Sequence, residues 1–299
     1  MLYRKIITIE NGVLKVEIST FGAEMIKIEK DGESKLWCGD KNVWAGHSPI
    51  LFPYCSALKD NNVVMRGKEF TDMLKHGFAK RSEFEVVSEE KTSCCLLLKE
   101  NEQTLKVYPF KFNFKVLFKL DGDKVCVYYI IENTDTVPLP CNVGCHEAYA
   151  TDGGIEKYYL EFESDNDYLQ STMVEGGYLS KNKYNHPLEG NKLFLKNKYF
   201  IPTENFIPET LGNGSIIVEN IKSKRVNLCK DDEVLASVYF NDFPHLVVWT
   251  VPESQFICIE PWSGLPDLVD ATNRDIMAKH SIDVVEVGGS KTFYHSITF

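Results

Sequence analysis

Long apolar runs and clusters of basic residues are both missing from this chain of 299 residues. No segment approaches the ~20 apolar residues that span a membrane, and the first ten residues contain no apolar stretch typical of a signal peptide. The net charge is −10 and the isoelectric point is about 5.3, which makes nucleic acid and anionic membranes poor partners. We therefore expect a cytoplasmic protein that binds neither membranes nor nucleic acid.

Cysteine motifs are also scarce, although the chain has nine cysteines. No Cys-x-x-Cys pair occurs. The one tight cluster, Cys141 and Cys145 with His146, lacks the second ligand pair of a zinc site. We predict reduced, mostly buried thiols and no metal site.

The chain further lacks a glycine-rich phosphate loop and any amphipathic helix longer than about three turns. Short strand-like segments recur instead between turn signals such as Asn11-Gly12. No change of composition divides the chain, so we predict one all-β domain over residues 1–299, a large antiparallel β-sandwich with few short helices. Long surface loops are predicted over 165–205, and a short helix around 270–278.

A carboxylate ends one of the predicted strands. Phe256 to Ile259 is an unbroken apolar run, typical of a strand covered on both faces, and Glu260 follows it. Pro261 favours an extended Glu260, and Trp262 adds a flat apolar surface. An acid beside an indole has the parts of a sugar site, because the ring covers the C–H face and the carboxylate accepts protons from hydroxyls. A capping glutamate before a turn is the alternative.

Two histidines also interrupt apolar, strand-like sequence. His76 precedes Gly77, which allows close backbone approach, so His76 lies either at a pocket rim or in an ordinary loop. Gly144 and His146 share one face of an extended strand, which leaves space beside the imidazole. This second histidine is either a site residue or a hydrogen-bonded core residue.

Together, these segments resemble the aldose 1-epimerase (galactose mutarotase) superfamily in their order and spacing. The resembling segments are Phe52-Pro53, His76-Gly77-Phe78, Gly144-Cys145-His146, Ile259-Glu260-Pro261-Trp262, Gly264 and Pro266-Asp267. The Glu-Pro-Trp-x-Gly-x-Pro-Asp pattern is similar to that of the LacX-like branch, and the resemblance covers nearly the whole chain. It implies a β-supersandwich with an open cleft, and interconversion of the α and β anomers of a free sugar.

The resemblance implies that His146 is the acid, Glu260 the base and His76 a substrate-orienting residue. Ring opening requires the anomeric hydroxyl to lose a proton while the ring oxygen gains one, and an imidazolium and a carboxylate supply both steps. No metal, nucleotide or other cofactor is needed. The expected partner is a small-molecule monosaccharide.

Several positions depart from the family pattern. The sugar-binding arginine of the family is matched by Ala57, and Lys59 is the candidate substitute, although an ammonium does not reproduce a bidentate guanidinium. Lys80 stands where an arginine is common, and Glu147 stands where a proline is common. The family's substrate-binding aspartate has only weak matches, at Glu209 and Asn213.

We predict four substrate-binding residues: His76, Lys59, Lys80 and Trp262. Solvated surface charge is the alternative for both lysines. The sequence leaves open the identity of the sugar and the choice between a monomer and a dimer.

Three other functions stay open. One is a carbohydrate-binding module of the same fold with little or no turnover. Another is a hexose 6-phosphate 1-epimerase, which needs a cationic pocket for the phosphate. A glycoside hydrolase or lyase is the third, and a hydrolase generally needs a second carboxylate about 5–10 Å from the first, here Glu147 or Asp267 facing Glu260.

Overall fold

The computed structural model describes residues 4–163, 168–175, 177–200 and 214–299. Antiparallel strands dominate these residues and little helix is present, which confirms the predicted all-β fold. No helix within the described ranges is long and apolar enough to cross a membrane. The thiols are free and mostly buried, as predicted, with Cys38 exposed and Cys95 half-buried.

The strands are numbered in chain order. They are β1 (Ile6–Glu10), β2 (Leu14–Ser19), β3 (Glu24–Lys30), β4 (Glu33–Ser34), β5 (Val63–Met65), β6 (Lys68–Phe70), β7 (Glu85–Glu90), β8 (Ser93–Lys99), β9 (Phe112–Asp121), β10 (Lys124–Asn133), β11 (Leu139–Cys141), β12 (Glu147–Ala150), β13 (Tyr158–Phe162), β14 (Tyr168–Glu175), β15 (Tyr178–Pro187), β16 (Lys192–Phe194), β17 (Ser215–Val218), β18 (Arg225–Lys230), β19 (Glu233–Tyr239), β20 (His245–Trp249), β21 (Phe256–Trp262), β22 (Asp283–Val285) and β23 (Ser290–Thr298). One α-helix, α1, covers Glu102–Val107. Short 3₁₀ turns lie at Lys59–Asn61, Ala79–Arg81, Ile155–Lys157, Asn197–Tyr199 and Ile276–Ala278.

Two large sheets form the body of the described structure. One has nine strands in the order β16-β13-β18-β19-β23-β10-β9-β8-β7, and the other has six in the order β12-β21-β20-β17-β14-β15. A shared core joins them, because Phe114 and Val127 of the first sheet belong to the same buried cluster as Val248 and Ile259 of the second. Strands β1 to β4 form a separate four-stranded sheet whose apolar side chains extend this core.

Strand β21 lies between β12 and β20 in the six-stranded sheet, and every one of its seven residues is buried. This pattern confirms the prediction of a strand covered on both faces. Alternate residues point to opposite faces, so Ile257 and Ile259 enter the shared core. Cys258 and Glu260 face the other way, into the surface that carries the candidate site.

Two long strands, β14 and β15, were not predicted because many of their side chains are polar. Strands β14 and β15 pair antiparallel across the region predicted as surface loops, so that prediction is wrong for these residues. Five of the ten residues of β15 are exposed, so backbone pairing rather than apolar burial defines it. The helix predicted around 270–278 is also wrong in extent, because only the Ile276–Ala278 turn forms, capped by Asp275 accepting a hydrogen bond from Met277 N–H at 2.9 Å.

Candidate active site

Two neighbouring strands bring His146 and Glu260 together. Glu147 of β12 pairs with Ile259 of β21, so the residue preceding Glu147 lies beside the residue following Ile259, on the same face. His146 Nε2 is 3.3 Å from Glu260 Oε2. In the sequence, 113 residues lie between His146 and Glu260. The fold nevertheless brings the imidazole and the carboxyl group close enough for a proton to pass between them.

Burial sets the protonation of this pair. Glu260 is 1% exposed, and desolvation raises its pKa well above the ordinary value, with the nearby Lys75 charge acting in the opposite sense. Desolvation also lowers the pKa of His146 to about 3, assisted by the charges of Lys80 and Lys75. Both shifts favour the uncharged forms, a protonated carboxyl group beside an unprotonated imidazole.

Neither oxygen of the Glu260 carboxyl group makes a hydrogen bond of ordinary geometry among the described residues, although the Trp262 indole N–H is close enough to lower the pKa of Glu260. His146 Nδ1 and the indole N–H of Trp262 also make no such bond there. Buried polar atoms are nearly always hydrogen-bonded, and the same lack of partners recurs at Glu147 Oε2 and at both ring nitrogens of His295 on the opposite face. The side chain of His146 keeps 11% exposure while that of Glu260 has 1%, so solvent reaches the imidazole of this pair.

His76 is held against this pair by its backbone and by a hydrogen bond. His76 and Gly77 both have φ of 68°, a left-handed conformation that is costly for a non-glycine residue and is concentrated at functional sites. The Nδ1 atom of His76 accepts a hydrogen bond from the Ser56 N–H at 3.0 Å, so Nε2 carries the proton of the neutral ring. The His76 ring packs edge-on against His146 at 5.7 Å and against Trp262 at 5.6 Å between centroids.

The glycines of both histidine segments are required by close packing. A Cβ atom on Gly77 would lie 2.2 Å from the Phe52 carbonyl oxygen, so the histidine turn docks directly on that backbone. A Cβ on Gly144 would lie 2.7 Å from Trp262 Cδ1. The space expected beside His146 is therefore filled by the Trp262 indole, which corrects the prediction of open room at that point.

Three aromatic side chains on the other side of the pair were missed by sequence reasoning. Trp44 stacks on His146, with centroids 5.2 Å apart and an interplanar angle of 22°. Trp249 meets the same imidazole edge-on at 5.6 Å, and Phe256 packs against both indoles. The available signal was the occurrence of two tryptophans in the polar segment 37–44, but nothing in that spacing indicated which residue they would cover.

The structure separates the two predicted lysines. Lys80 is half-buried, desolvation lowers its pKa to about 8, and its charge acts on both His146 and Glu260. Lys59 lies with its ammonium 3.5 Å from Asp60 and over the ring of Tyr178. The contacts of Lys59 thus resemble the surface alternative more closely than a role beside the acid–base pair.

Lys75, immediately before His76, was not predicted as a site residue. Its charge lowers the pKa of Glu260 more than the charge of Lys80 does. Its adjacency to His76 was the only sequence signal. Arg81 donates a hydrogen bond to the Gly77 carbonyl oxygen at 3.2 Å and so supports the histidine turn. The two weak matches to the family aspartate, Glu209 and Asn213, lie outside the described residues.

The other acids near the motif have different partners. Asp267 accepts hydrogen bonds from the buried Lys279 ammonium at 2.6 Å and from the Lys59 N–H at 2.7 Å. Glu147 points to the opposite face of β12, where its Oε1 lies 3.1 Å from His295 Nε2. Neither carboxylate faces Glu260 across a cleft, so the geometry does not favour the hydrolase alternative.

Two groups of metal-ligand side chains form through the fold. His146, Cys258 and Glu260 place one potential ligand atom each within 4.8 Å of one another, and so do Cys145, Glu147 and His295 on the other face. Sequence spacing gave no sign of either group, because each draws residues from distant strands. A separate cavity of about 390 Å³ is lined by Tyr149, Thr151 and Lys230 among others, and its lining includes none of these six residues.

The fold and this site together define a class of protein. The sequence model of the aldose 1-epimerase family matches residues 5–276, and the chain belongs to that family. This finding confirms the resemblance drawn from the histidine and Glu-Pro-Trp segments.

Individual relatives point to the LacX-like branch. The plasmid LacX protein of Lactococcus lactis subsp. lactis is 30% identical over 280 residues, which cover 89% of this chain and 90% of the relative. The chromosomal LacX protein of the same organism is 29% identical over the same lengths. The chain thus stands in the LacX-like branch of the family.

Solved structures agree with this assignment. A galactose mutarotase related enzyme from Lactobacillus acidophilus superposes with a TM-score of 0.89 at 28% identity, covering 98% of this chain and 97% of its own. A galactose mutarotase-like protein from Lactobacillus casei ATCC 334 gives a TM-score of 0.86 at 27% identity, covering 98% and 99%. The galactose mutarotase-like β-sandwich is therefore the fold of this chain.

Proposed function

We propose that the chain is an aldose 1-epimerase that interconverts the α and β anomers of a free hexose by acid–base ring opening. The observation that carries this proposal is the 3.3 Å approach of His146 Nε2 to Glu260 Oε2 together with the 11% exposure of the His146 side chain. Neither carboxyl oxygen makes a hydrogen bond of ordinary geometry among the described residues, and burying such groups unpaired is costly unless a ligand completes their hydrogen bonds.

The protons balance through such a cycle. The anomeric hydroxyl gives its proton to the Glu260 carboxylate, and the His146 imidazolium gives one to the ring oxygen as the bond from C1 to that oxygen breaks. The open-chain aldehyde is left facing a neutral carboxyl group and a neutral imidazole. After rotation about the C1–C2 bond, the same transfers run in reverse and close the ring on the other face.

Burial favours the protonation state that the pair has when the sugar ring is open. The neutral carboxyl group and neutral imidazole beside the open-chain sugar are the forms that desolvation favours in the free pair. The ionised starting form has the same number of protons, so one transfer across the 3.3 Å gap produces it. The pair therefore starts the reaction without taking a proton from solvent.

The surrounding residues fit a sugar ring. Trp262 offers an apolar surface beside Glu260, and the His76 ring, whose Nε2 carries its proton, packs against both Trp262 and His146. Trp44 and Trp249 line the other side of His146. Aromatic surfaces with a few placed polar groups are what a monosaccharide site requires.

A hexose 6-phosphate is the second candidate substrate. The charges of Lys75 and Lys80 act on both His146 and Glu260, so two ammonium groups lie near the reacting atoms. Ammonium groups attract phosphate oxygens through charge-assisted hydrogen bonds. This feature favours an anionic sugar over the purely surface role considered for Lys80.

The test is the rate at which fresh α-D-glucose, α-D-galactose and their 6-phosphates reach anomeric equilibrium, followed by polarimetry or by NMR of the anomeric protons. We expect acceleration by the wild-type protein and its loss in Glu260→Gln. Glu69→Gln, which changes an exposed carboxylate on β6, serves as the matched control. Sugar binding without acceleration would support a carbohydrate-binding module instead.

A further inference from the structure

The acid and base share their face of the sheet with a thiol. Cys258 lies two residues before Glu260 on β21, so both side chains point to the same face, and Ala148 is its neighbour on β12. The Sγ atom of Cys258, a ring nitrogen of His146 and a carboxyl oxygen of Glu260 all lie within 4.8 Å of one another. The reaction proposed above gives this thiol no part.

These three atoms form the ligand set of a borderline divalent metal ion. Zinc is bound tetrahedrally by thiolate, imidazole and carboxylate, at about 2.3 Å from sulfur and 2.0–2.2 Å from nitrogen and oxygen. Two ligands at such distances lie about 3.4 Å apart at the tetrahedral angle. His146 Nε2 and Glu260 Oε2 are 3.3 Å apart, so they already have that spacing.

The availability of the ligands is a separate observation. Glu260 is 1% exposed, yet neither of its oxygens makes a hydrogen bond of ordinary geometry among the described residues. His146 keeps 11% side-chain exposure, which gives an ion a way in from solvent. Three protein ligands with an accessible fourth position is the arrangement of an open zinc site.

We infer that His146, Cys258 and Glu260 form a binding site for Zn²⁺ or a similar thiophilic divalent cation, and that the bound ion inhibits the enzyme. The inhibition rests on the proposed function, because the ion occupies the acid and the base. Coordination releases the thiol proton and the single proton of the pair to solvent. The sugar and the metal therefore compete for the same two side chains.

A matching trio on the opposite face provides an internal control. Cys145, Glu147 and His295 also lie within 4.8 Å of one another, but they are 0–1% exposed. The Cys145 thiol already donates a hydrogen bond to the Pro261 carbonyl oxygen at 3.3 Å. Cys258 and Glu260 are also only 0–1% exposed, so the partial exposure of His146 is what separates the two trios.

The test is anaerobic titration with Co²⁺, which gives a near-ultraviolet thiolate-to-metal charge-transfer band when cysteine is a ligand. The background carries Cys38→Ser to remove the exposed thiol. We expect the band at one equivalent of cobalt in this protein and in its Cys145→Ser variant, its displacement by Zn²⁺, and its loss in Cys258→Ser and Cys258→Ala. Thermal unfolding and circular dichroism establish that each variant is folded.

Inhibition is measured separately, as the Zn²⁺ concentration that halves the rate of anomer interconversion. It should rise at least about tenfold in Cys258→Ser, because losing even an outer partner of a metal site costs 10–100-fold in affinity. The cobalt spectrum needs no sugar, so it tests the site even if the chain proves to have no epimerase activity. A band that persists in folded Cys258 variants, disappears in Cys145→Ser or never forms would overturn the proposal.

Discussion

Two glutamate–histidine pairs lie on opposite faces of the same strand, β12, and only one of them is suited to catalysis. On the face that carries the candidate site His146 Nε2 is 3.3 Å from Glu260 Oε2, and on the inner face His295 Nε2 is 3.1 Å from Glu147 Oε1. The distances are nearly equal. The difference is access, because the side chain of His146 keeps 11% exposure while that of His295 has none.

The comparison shows that residue type and distance do not make an acid–base site. The inner pair lies between the two large sheets, and Tyr129 stacks on His295 at 5.7 Å, so no substrate reaches it. The candidate-site pair lies between indole rings, near the ammonium groups of Lys75 and Lys80. We therefore assign the proposed chemistry to the candidate-site pair and a structural role to the inner pair.

The largest effect should be on the proposed catalysis by the candidate-site pair, His146 and Glu260. His146→Gln and Glu260→Gln each remove one proton-transfer group and should lower kcat/KM about 10²–10⁴-fold. The double variant should be little worse than the poorer single variant, because the two groups act as a unit. Anomer exchange measured by NMR tests this, with Glu147→Gln as the inner counterpart expected to lose less than about tenfold.

The next largest effect should be on stability at the inner pair. His295→Leu leaves the Glu147 carboxyl group buried without the imidazole that faces it, which should cost about 1–3 kcal/mol of the free energy of unfolding. Replacing both residues by leucine should recover most of this loss, since replacing both partners of a buried polar contact by apolar groups is often nearly neutral. Urea unfolding measures both. An His295→Leu variant as stable as the wild type would contradict the structural role.

Glu260→Gln should change the free energy of unfolding in the opposite direction from His295→Leu. Because burial raises the pKa of Glu260 above its unfolded value, ionisation destabilises the fold increasingly as the pH rises above the unfolded pKa. Glutamine does not ionise, so at neutral and higher pH this variant should be as stable as the wild type or more so. The same urea series gives this result.

On the acid side, kcat/KM should begin to fall at a much lower pH than the ordinary histidine pKa. The pKa of His146 is lowered to about 3, so the pair gains a second proton only in strong acid, and kcat/KM should not fall near the ordinary histidine pKa of 6.5. On the alkaline side the rate should fall as Glu260 loses the single proton of the pair. Initial rates from about pH 4 to 10 test this, and an acid limb at the ordinary histidine value would refute it.

The smallest effect should come from Lys80→Gln. The ammonium of Lys80 lowers the pKa of Glu260, so its removal should raise that pKa further and move the alkaline limb of the rate profile upward. The charge is half exposed and partly screened, so the shift should be modest. Lys59→Gln is the matched control, because that ammonium interacts with Asp60 and Tyr178. Equal profiles for the two variants would remove Lys80 from the site.

Much of the fold was predictable, for reasons visible in particular segments. The Phe256–Ile259 run and the turn signals predicted strands correctly because burial on one or both faces leaves a periodic apolar pattern. Strands β14 and β15 were missed because their pairing relies on backbone hydrogen bonds while many side chains face solvent. Trp44 and Lys75 were missed because the residues next to each of them in the sequence do not indicate that their segments fold back toward His146.

The sequence alone determined the all-β class, the family and the identity of the acid–base candidates, since apolar alternation and the Glu-Pro-Trp segment are local features of the chain. Only the tertiary structure decided which glutamate meets which histidine. The register of β12 against β21 turns Glu260 toward His146 and sends Glu147 to His295 on the other face. Adjacent positions on a strand face opposite ways, and only the packing of the sheets decides which face is sealed and which stays open to a sugar.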